Sequence, residues 1–260
     1  MKVIIFLLTV LPWLIADNAS GGWTFTENSE GERQTRHIQN NRMKFTAPDH
    51  LIIFDLDKKM VSFANPNEKS YWMGTPAEFA AQAKKGLENI DKIIDRQLSA
   101  VPPGQRAAFK RSLIQQIKKQ TGGPRPKVEI KPSDRSAKIA GHKVRKYDIL
   151  FDGLLRQELW IAQDIRFGRE FDVRQFGKMM RVFHSGLGQH SDESELWSPR
   201  VTKLLLKGWP LRTTDYDEDG SPEKTEVLKV EKSDLPDSAF ELPGNYRRMS
   251  VSEIFGRDGG

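Results

Sequence analysis

From Trp23 to Met73 apolar and polar residues alternate with period two in short runs, each closed by turn-forming residues. Trp23-Thr24-Phe25-Thr26 opens the series, residues 33–39 extend, Asn40-Asn41 turns, and Arg42 to Thr46 runs back. Leu51-Ile52-Ile53-Phe54 is nearly all apolar, as a strand covered on both faces must be. Asp55 to Lys59 turns the chain into Met60–Asn65, where Val61 and Phe63 share a face. Asn65-Pro66-Asn67 turns it again into Lys69–Met73. This spacing predicts one curved antiparallel meander.

The period then lengthens. Thr75-Pro76-Ala77-Glu78 is a capping box with proline at the first helical position. Phe79, Ala83, Leu87, Ile90, Ile94 and Leu98 follow at steps of three and four, the stripe of an amphipathic helix over 76–100. After Pro102-Pro103-Gly104 a second helix carries Phe109, Leu113 and Ile117 and stops at Gly122-Gly123-Pro124. In the middle of the chain the period returns to two: Arg145, Tyr147, Ile149 and Phe151 share one face, and Lys146 and Asp148 the other. Asp152-Gly153 supplies a two-residue hairpin turn, and the return strand puts Leu155, Gln157, Leu159 and Ile161 on one face with Arg156, Glu158 and Trp160 opposite.

Helical spacing recurs at Val173, Phe176, Met180, Phe183 and Leu187, and a further helical piece from Glu193 to Leu206 is interrupted by Pro199. Strands resume at Gly208 to Thr214, at Thr225 to Glu231, and at Phe240-Glu241-Leu242-Pro243. The order of meander, helices, hairpin, helices and strands is that of a single α+β domain over 20–260, with helical insertions at about 76–121 and 168–206.

Residues 1–19 change the picture of location. Lys2 precedes an apolar run from Val3 to Ile15, too short to span a bilayer and suited to a secretory signal peptide cleaved between Ala16 and Gly22. A periplasmic or secreted protein that is not transmembrane after processing is expected. There is no cysteine, which excludes a disulfide framework, a thiolate metal site and lipoprotein processing. Charge is unevenly placed: residues 82–119 hold nine bases against three acids, and 215–241 hold ten acids against three lysines. The basic stretch, residues 84–119, reads as a solvated helix face or as a surface for an anionic membrane or an acidic partner. Nothing points to nucleic acid.

Candidate chemistry is sparse. Asp215, Asp217, Asp219, Gly220 and Glu226 match a calcium loop letter for letter, three carboxylates and a late glutamate offering oxygens to a hard cation. Strand-like flanks, with Pro222 at the eighth position, favour an acidic hairpin loop instead, so no cofactor is expected unless calcium binds there. His184 and His190 with Asp192, Glu193 and Glu195 have no zinc-ligand spacing. No G-x-S-x-G, no helical H-E-x-x-H and no glycine-rich phosphate loop is present, so an enzyme is not expected and a hydrolase stands behind the other readings. The aromatics Phe54, Phe63, Tyr71, Trp72, Phe151, Trp160 and Trp209 are either core or the lining of an apolar groove.

Three sets of residues carry a family resemblance: Leu51–Asp57 with Val61 and Asn65–Tyr71; Ile139–His142 with Val144, Tyr147 and Trp160–Ala162; and Gly208–Arg212 with Leu235–Tyr246. Together they resemble a bacterial envelope family filed as a domain of unknown function, over roughly residues 33–250. That family is similar in architecture to the LolA/LolB-like lipoprotein carriers. The resemblance implies an unclosed half-barrel holding acyl chains beneath helices, with Phe79, Leu87, Ile90 and Ile94 turned from a lid toward the groove aromatics. The long basic insertion departs from the family, and no residue matches a known catalytic or lipid-contact motif. Two functions follow: a binding protein for an apolar ligand, acyl chain or lipidated partner, or an envelope interaction protein with a filled core and a basic helical face.

Overall fold

The computed structural model describes residues 21–88, 125–186, 192–217 and 219–251, with residues 101, 106, 109 and 253 singly. Among them twelve strands form one sheet: β1 (Gly22–Ser29), β2 (Glu32–Gln39), β3 (Arg42–Thr46), β4 (Leu51–Asp55), β5 (Met60–Asn65), β6 (Ser70–Gly74), β7 (Val128–Ile139), β8 (His142–Phe151), β9 (Leu154–Ala162), β10 (Trp209–Tyr216), β11 (Pro222–Ser233) and β12 (Arg247–Arg248). The sheet is curved and unclosed, in the order β12-β6-β5-β4-β3-β2-β1-β11-β10-β9-β8-β7. Neighbours are antiparallel except the short β12, which runs parallel to β6. The expected meander and central hairpin are both present, joined where β1 pairs with β11.

Turn chemistry sets the register. Asp152 and Gly153 have φ of 51° and 86°, and Asn40 and Asn41 have 50° and 55°, the paired left-handed residues a two-residue hairpin turn demands. Ala140 and Gly141 repeat this geometry between β7 and β8. Strand β7 was not expected from the sequence, because Pro132 and a register break between Pro132 and Ser136 interrupt its alternation. It forms a sheet edge, where a proline and a bulge are tolerated.

Helix α1 (Pro76–Glu88) begins with the reciprocal capping box: Thr75 N donates to Glu78 Oε2 at 2.7 Å and Glu78 N to Thr75 Oγ1 at 3.1 Å. The remainder of the expected 76–100 helix, with Ile90 and Ile94, lies outside the described residues, as does most of the basic 84–119 segment. Helix α2 (Val173–Gly186) is capped by Asp172, whose Oδ1 accepts from Arg174 N and Gln175 N. A four-residue turn α3 (Asp192–Glu195) precedes α4 (Pro199–Leu205), where Ser198 is the N-cap and Pro199 the first helical residue. The expected interruption at Pro199 is thus a helix start. No helix among the described residues is long and apolar enough to cross a membrane.

The main core lies between one face of the sheet and these helices, and includes Phe25, Ile38, Val61, Phe171, Phe176, Val201 and Leu211. A smaller cluster, Leu51, Ile53 and Ala64 with Tyr71, Leu242 and Tyr246, lies on the other face of the meander. The segment after β11 covers it: Arg42 stacks its guanidinium over Phe240 at 4.7 Å and pairs with Asp237, and Lys44 Nζ reaches Glu241 O.

Candidate functional site

Register assigns each side chain to a face. Phe45, Ile52, Phe63 and Trp72 are directly paired along one row, and Met43, Phe54 and Val61 along the next. Two residues apart on each strand, the rows share the helix-covered face. Here the sheet, α2 and α4 leave a cavity of about 290 Å³, walled by Met43, Phe45, Ile52, Phe54, Leu159, Phe176, Met180 and Trp209 among others. Its size sits at the lower end of the roughly 300–1,000 Å³ of small-ligand sites.

Phe54 and Trp209, both singled out in the sequence, line this cavity. Phe63, Trp72 and Phe79 form an aromatic cluster beside it, with Phe79 stacked on Phe183 at 4.3 Å and set edge-on to Trp72 at 5.2 Å. Tyr71 alternates away from Trp72, lies in the second cluster on the opposite face, and takes no part in the cavity. Trp160 also points away, because its neighbour Leu159 lines the cavity. Its ring lies under the Arg212 guanidinium at 5.2 Å and is paired in the ladder with Lys146 and Arg212. Phe151 is buried at the hairpin end opposite Val128, outside the cavity lining. The backbone of Leu87 belongs to α1, and Ile90 and Ile94 are not described.

Among the polar residues of the cavity wall, Gln157, Thr213 and Arg36, the charged one is Arg36, which the sequence left unremarked. Its Nη2 donates to Glu27 Oε2 at 3.1 Å, and Glu27 is 2% exposed. The guanidinium carbon lies 5.7 Å from the Phe45 ring centre and 5.8 Å from that of Trp209. A bulge between Thr26 and Glu27 shifts the β1–β11 register at this carboxylate. Arg36 alternates in phase with Ile38, the one signal in the sequence that it faces the core. Nε of Arg36 and Nε1 of Trp209 are both shut off from solvent without a hydrogen-bond acceptor among the described residues.

The opposite face carries a second polar group. Lys146 Nζ bonds Glu158 Oε1 at 2.6 Å and Asp148 Oδ1 at 3.1 Å, with the lysine side chain 8% exposed. Burial pulls the Lys146 amine down, but hydrogen bonds to Glu158 and Asp148 and their charges outweigh it and leave it raised. Lys146 and Asp148 thus share the face opposite Ile149, as their alternation predicts, with the lysine buried there.

The acidic loop is the turn of the β10–β11 hairpin, flanked by strands as expected. Its carboxylates are held apart by other partners. Asp215 accepts from Gln157 Nε2 at 2.7 Å, Glu226 accepts from Arg212 Nε at 2.6 Å and Lys224 Nζ at 2.7 Å, and Asp219 accepts from Ser221 N. No group of three or more metal-ligating side chains is assembled among the described residues. His190 lies outside them.

The chain resembles, at low identity, several solved structures. PNGF-II is 11% identical with a TM-score of 0.38, the match covering 91% of this chain and 33% of that one. MucB in complex with MucA(peri) is 10% identical with a TM-score of 0.36, covering 88% and 57%. The Pseudomonas aeruginosa MucA/MucB complex is 10% identical with a TM-score of 0.37, covering 87% and 57%. The chain thus spans about a third of PNGF-II and little more than half of MucB. No curated protein is matched by its sequence. The resemblance to a family of unknown function is met over the central hairpin and closing strands, with the opening meander outside the match: residues 119–246 match the family described as a domain of unknown function (DUF4412).

Proposed function

We propose that this is an exported, non-enzymatic binding protein that holds an apolar chain, free or attached to a lipidated partner, between its curved sheet and α2 and α4, in the manner of the LolA/LolB-like carriers. The observation that carries this reading is the cavity itself: a space of about 290 Å³ whose wall is mainly Met, Phe, Leu, Ile and Trp side chains. The space is a half-open cleft, and a concave, mostly apolar surface of this kind with a few polar groups is what small-ligand sites present. Export is supported by the apolar leader, and β1 starts at Gly22, so cleavage between Ala16 and Gly22 leaves the sheet whole.

The test is a thermal melt of the processed chain with monoacylglycerols of increasing length, kept below their micelle concentrations. A ligand at a hundredfold excess over its Kd stabilises by ~2.7 kcal/mol, which raises Tm by roughly 5 °C or more in a chain of this size. The shift is expected to grow with chain length until the cavity is full, and to level off at shorter chains in Met180→Trp, which narrows it. A flat response at every length overturns the reading and leaves an interaction protein with a filled core.

A further inference from the structure

The sheet ends differently on its two sides. At the β6 end the chain closes the edge itself: Arg247 N and Met249 N donate to Lys69 O and Tyr71 O, both at 2.7 Å, and Arg248 Nη2 donates to Met73 O. At the other end β7 is the last strand, and among the described residues no strand lies beyond it. Hairpin geometry says which of its groups are left over. The two-residue Ala140-Gly141 turn closes on Ile139 and His142 as a hydrogen-bonded pair, so Ala137 is bonded to Val144 in the same way. Ser136 and Lys138, between and beyond these pairs, turn their N–H and C=O away from β8. Neither meets another hydrogen-bonding group among the described residues, whereas Val128 O, further along β7, accepts from Arg200 Nη1 at 2.7 Å.

The charge along this edge is of one sign. Residues 125–145 hold seven lysines and arginines against two acids, Glu129 and Asp134, and Glu129 is taken by Lys127 at 2.7 Å. Lys131, Arg135, Lys138, Lys143 and Arg145 are all exposed. Lys138 stands directly across the ladder from Lys143, a like-charge pair that costs stability, with Arg145 two residues on along the same face. That face has room for side chains: Ser136, Lys143 and Arg145 line a half-open cavity with Gln163, Asp134 and Asp164, and Asp164 is held by His142 Nδ1 at 2.7 Å. Charge on an edge strand ordinarily keeps sheets from pairing. Here its single sign repels a second copy, which would set lysine against lysine, and admits a strand of opposite sign. Pro132 and the break after it interrupt β7, so the regular edge is Ser136–Ile139.

We propose that this edge docks an extended acidic segment of another polypeptide, which adds to the sheet as a further strand with acidic side chains at alternate positions beside Lys138, Lys143 and Arg145. The backbone of Ser136 and Lys138 holds the strand, and the row of cations selects it. The surface is separate from the cavity beneath α2 and α4, so the proposal stands whether or not that cavity binds an acyl chain.

The test is calorimetric titration of the processed chain with the peptide (Thr-Glu)5, its counterpart (Thr-Lys)5, and (Thr-Glu)5 N-methylated throughout, which keeps the charges and loses every backbone donor. Binding of (Thr-Glu)5 is expected, with the methylated peptide weaker by about tenfold or more, as the loss of two hydrogen bonds predicts. (Thr-Lys)5 should not bind. Hydrogen exchange should find the amides of Ser136 and Lys138 open in the free protein and protected by (Thr-Glu)5, while those of Ala137 and Ile139 are protected in both states. Lys138→Glu combined with Lys143→Glu, at two exposed positions, should turn the preference toward (Thr-Lys)5, and a melt establishes that this variant folds. No binding of (Thr-Glu)5, equal binding of the methylated peptide, or unchanged exchange at Ser136 and Lys138 overturns the proposal. Binding to phosphatidylglycerol vesicles in place of the peptide would make this a membrane-facing surface and overturns it as well.

Discussion

Phe79 and Phe183 stack with ring centres 4.3 Å apart and planes 24° from parallel, fastening α1 to α2 across the sheet face. Phe63 and Trp72 complete the cluster, at 5.6 Å and 5.2 Å from Phe79. Phe79 is 4% exposed, so this end of the helical cover is packed interior, unlike the cavity beneath α2 and α4. Phe79→Ala should therefore cost ~3–5 kcal/mol in denaturant unfolding, as buried Phe truncations do. A double-mutant cycle with Phe183→Ala should return a coupling of ~0.5–1.5 kcal/mol. A loss under about 1 kcal/mol for the single variant would mean that α1 lifts freely from the sheet.

Lys146 holds two carboxylates on the outer face, and its removal strands both. Lys146→Met is expected to destabilise by ~2–3 kcal/mol, somewhat less than a fully buried pair because Asp148 is 30% exposed. The amine is raised in the folded state, so its contribution is complete below the unfolded lysine value of about 10.4 and is lost as pH climbs through the higher folded value. Urea titrations from pH 8 to 11 should show the wild type losing stability in alkali faster than Lys146→Met. Parallel curves would refute the assignment.

His37 gives an acid-side counterpart. Burial, and then the charge of Lys44 opposite it in the ladder, lower its pKa, and Thr24 Oγ1 lies 3.1 Å from Nδ1. The fold therefore prefers neutral imidazole. Its contribution is whole above the ordinary histidine value of about 6.5 and declines as pH falls from there to the lowered folded value, below which it is constant. Melts between pH 7.5 and 5 should show a decline in Tm that His37→Asn flattens.

The acidic hairpin loop is expected to fold without calcium, because Asp215 and Glu226 are engaged with Gln157, Arg212 and Lys224. Tm should be the same with calcium or chelator present. A calorimetric Kd tighter than ~10⁻⁵ M, the range of calcium sensors, would defeat this expectation.

Local signals carried much of the architecture. The alternation from Trp23 to Met73, the Asn40-Asn41 and Asp152-Gly153 turns and the Thr75–Glu78 capping box each correspond to an observed element, because each is decided by residues adjacent in sequence. What failed was decided at a distance. The 163–172 segment has no period, yet Ile165, Phe167 and Phe171 are buried in the main core, Phe167 edge-on to Trp209 at 4.7 Å. On β9 both Leu159 and Trp160 are buried, so apolarity does not tell which faces the cavity; the long-range pairing of β9 with β8 and β10 does. Arg36, flanked by polar residues in β2, looks like a solvated strand position until Glu27, Phe45 and Trp209 are brought around it.

The pairing of β1 with β11 has a consequence for how the chain is made. Ser29 and Thr225, hydrogen-bonded at 2.9 Å across that seam, are 196 residues apart. The first wing can zip by short hairpins and the second does so except between β9 and β10, which residues 163–208 separate, but the two merge only after β11 has been made. Closing so long a loop before the contacts reward it places a late, slow step in folding. Until that step the first wing exposes β1 as a free edge, open to pairing with another chain.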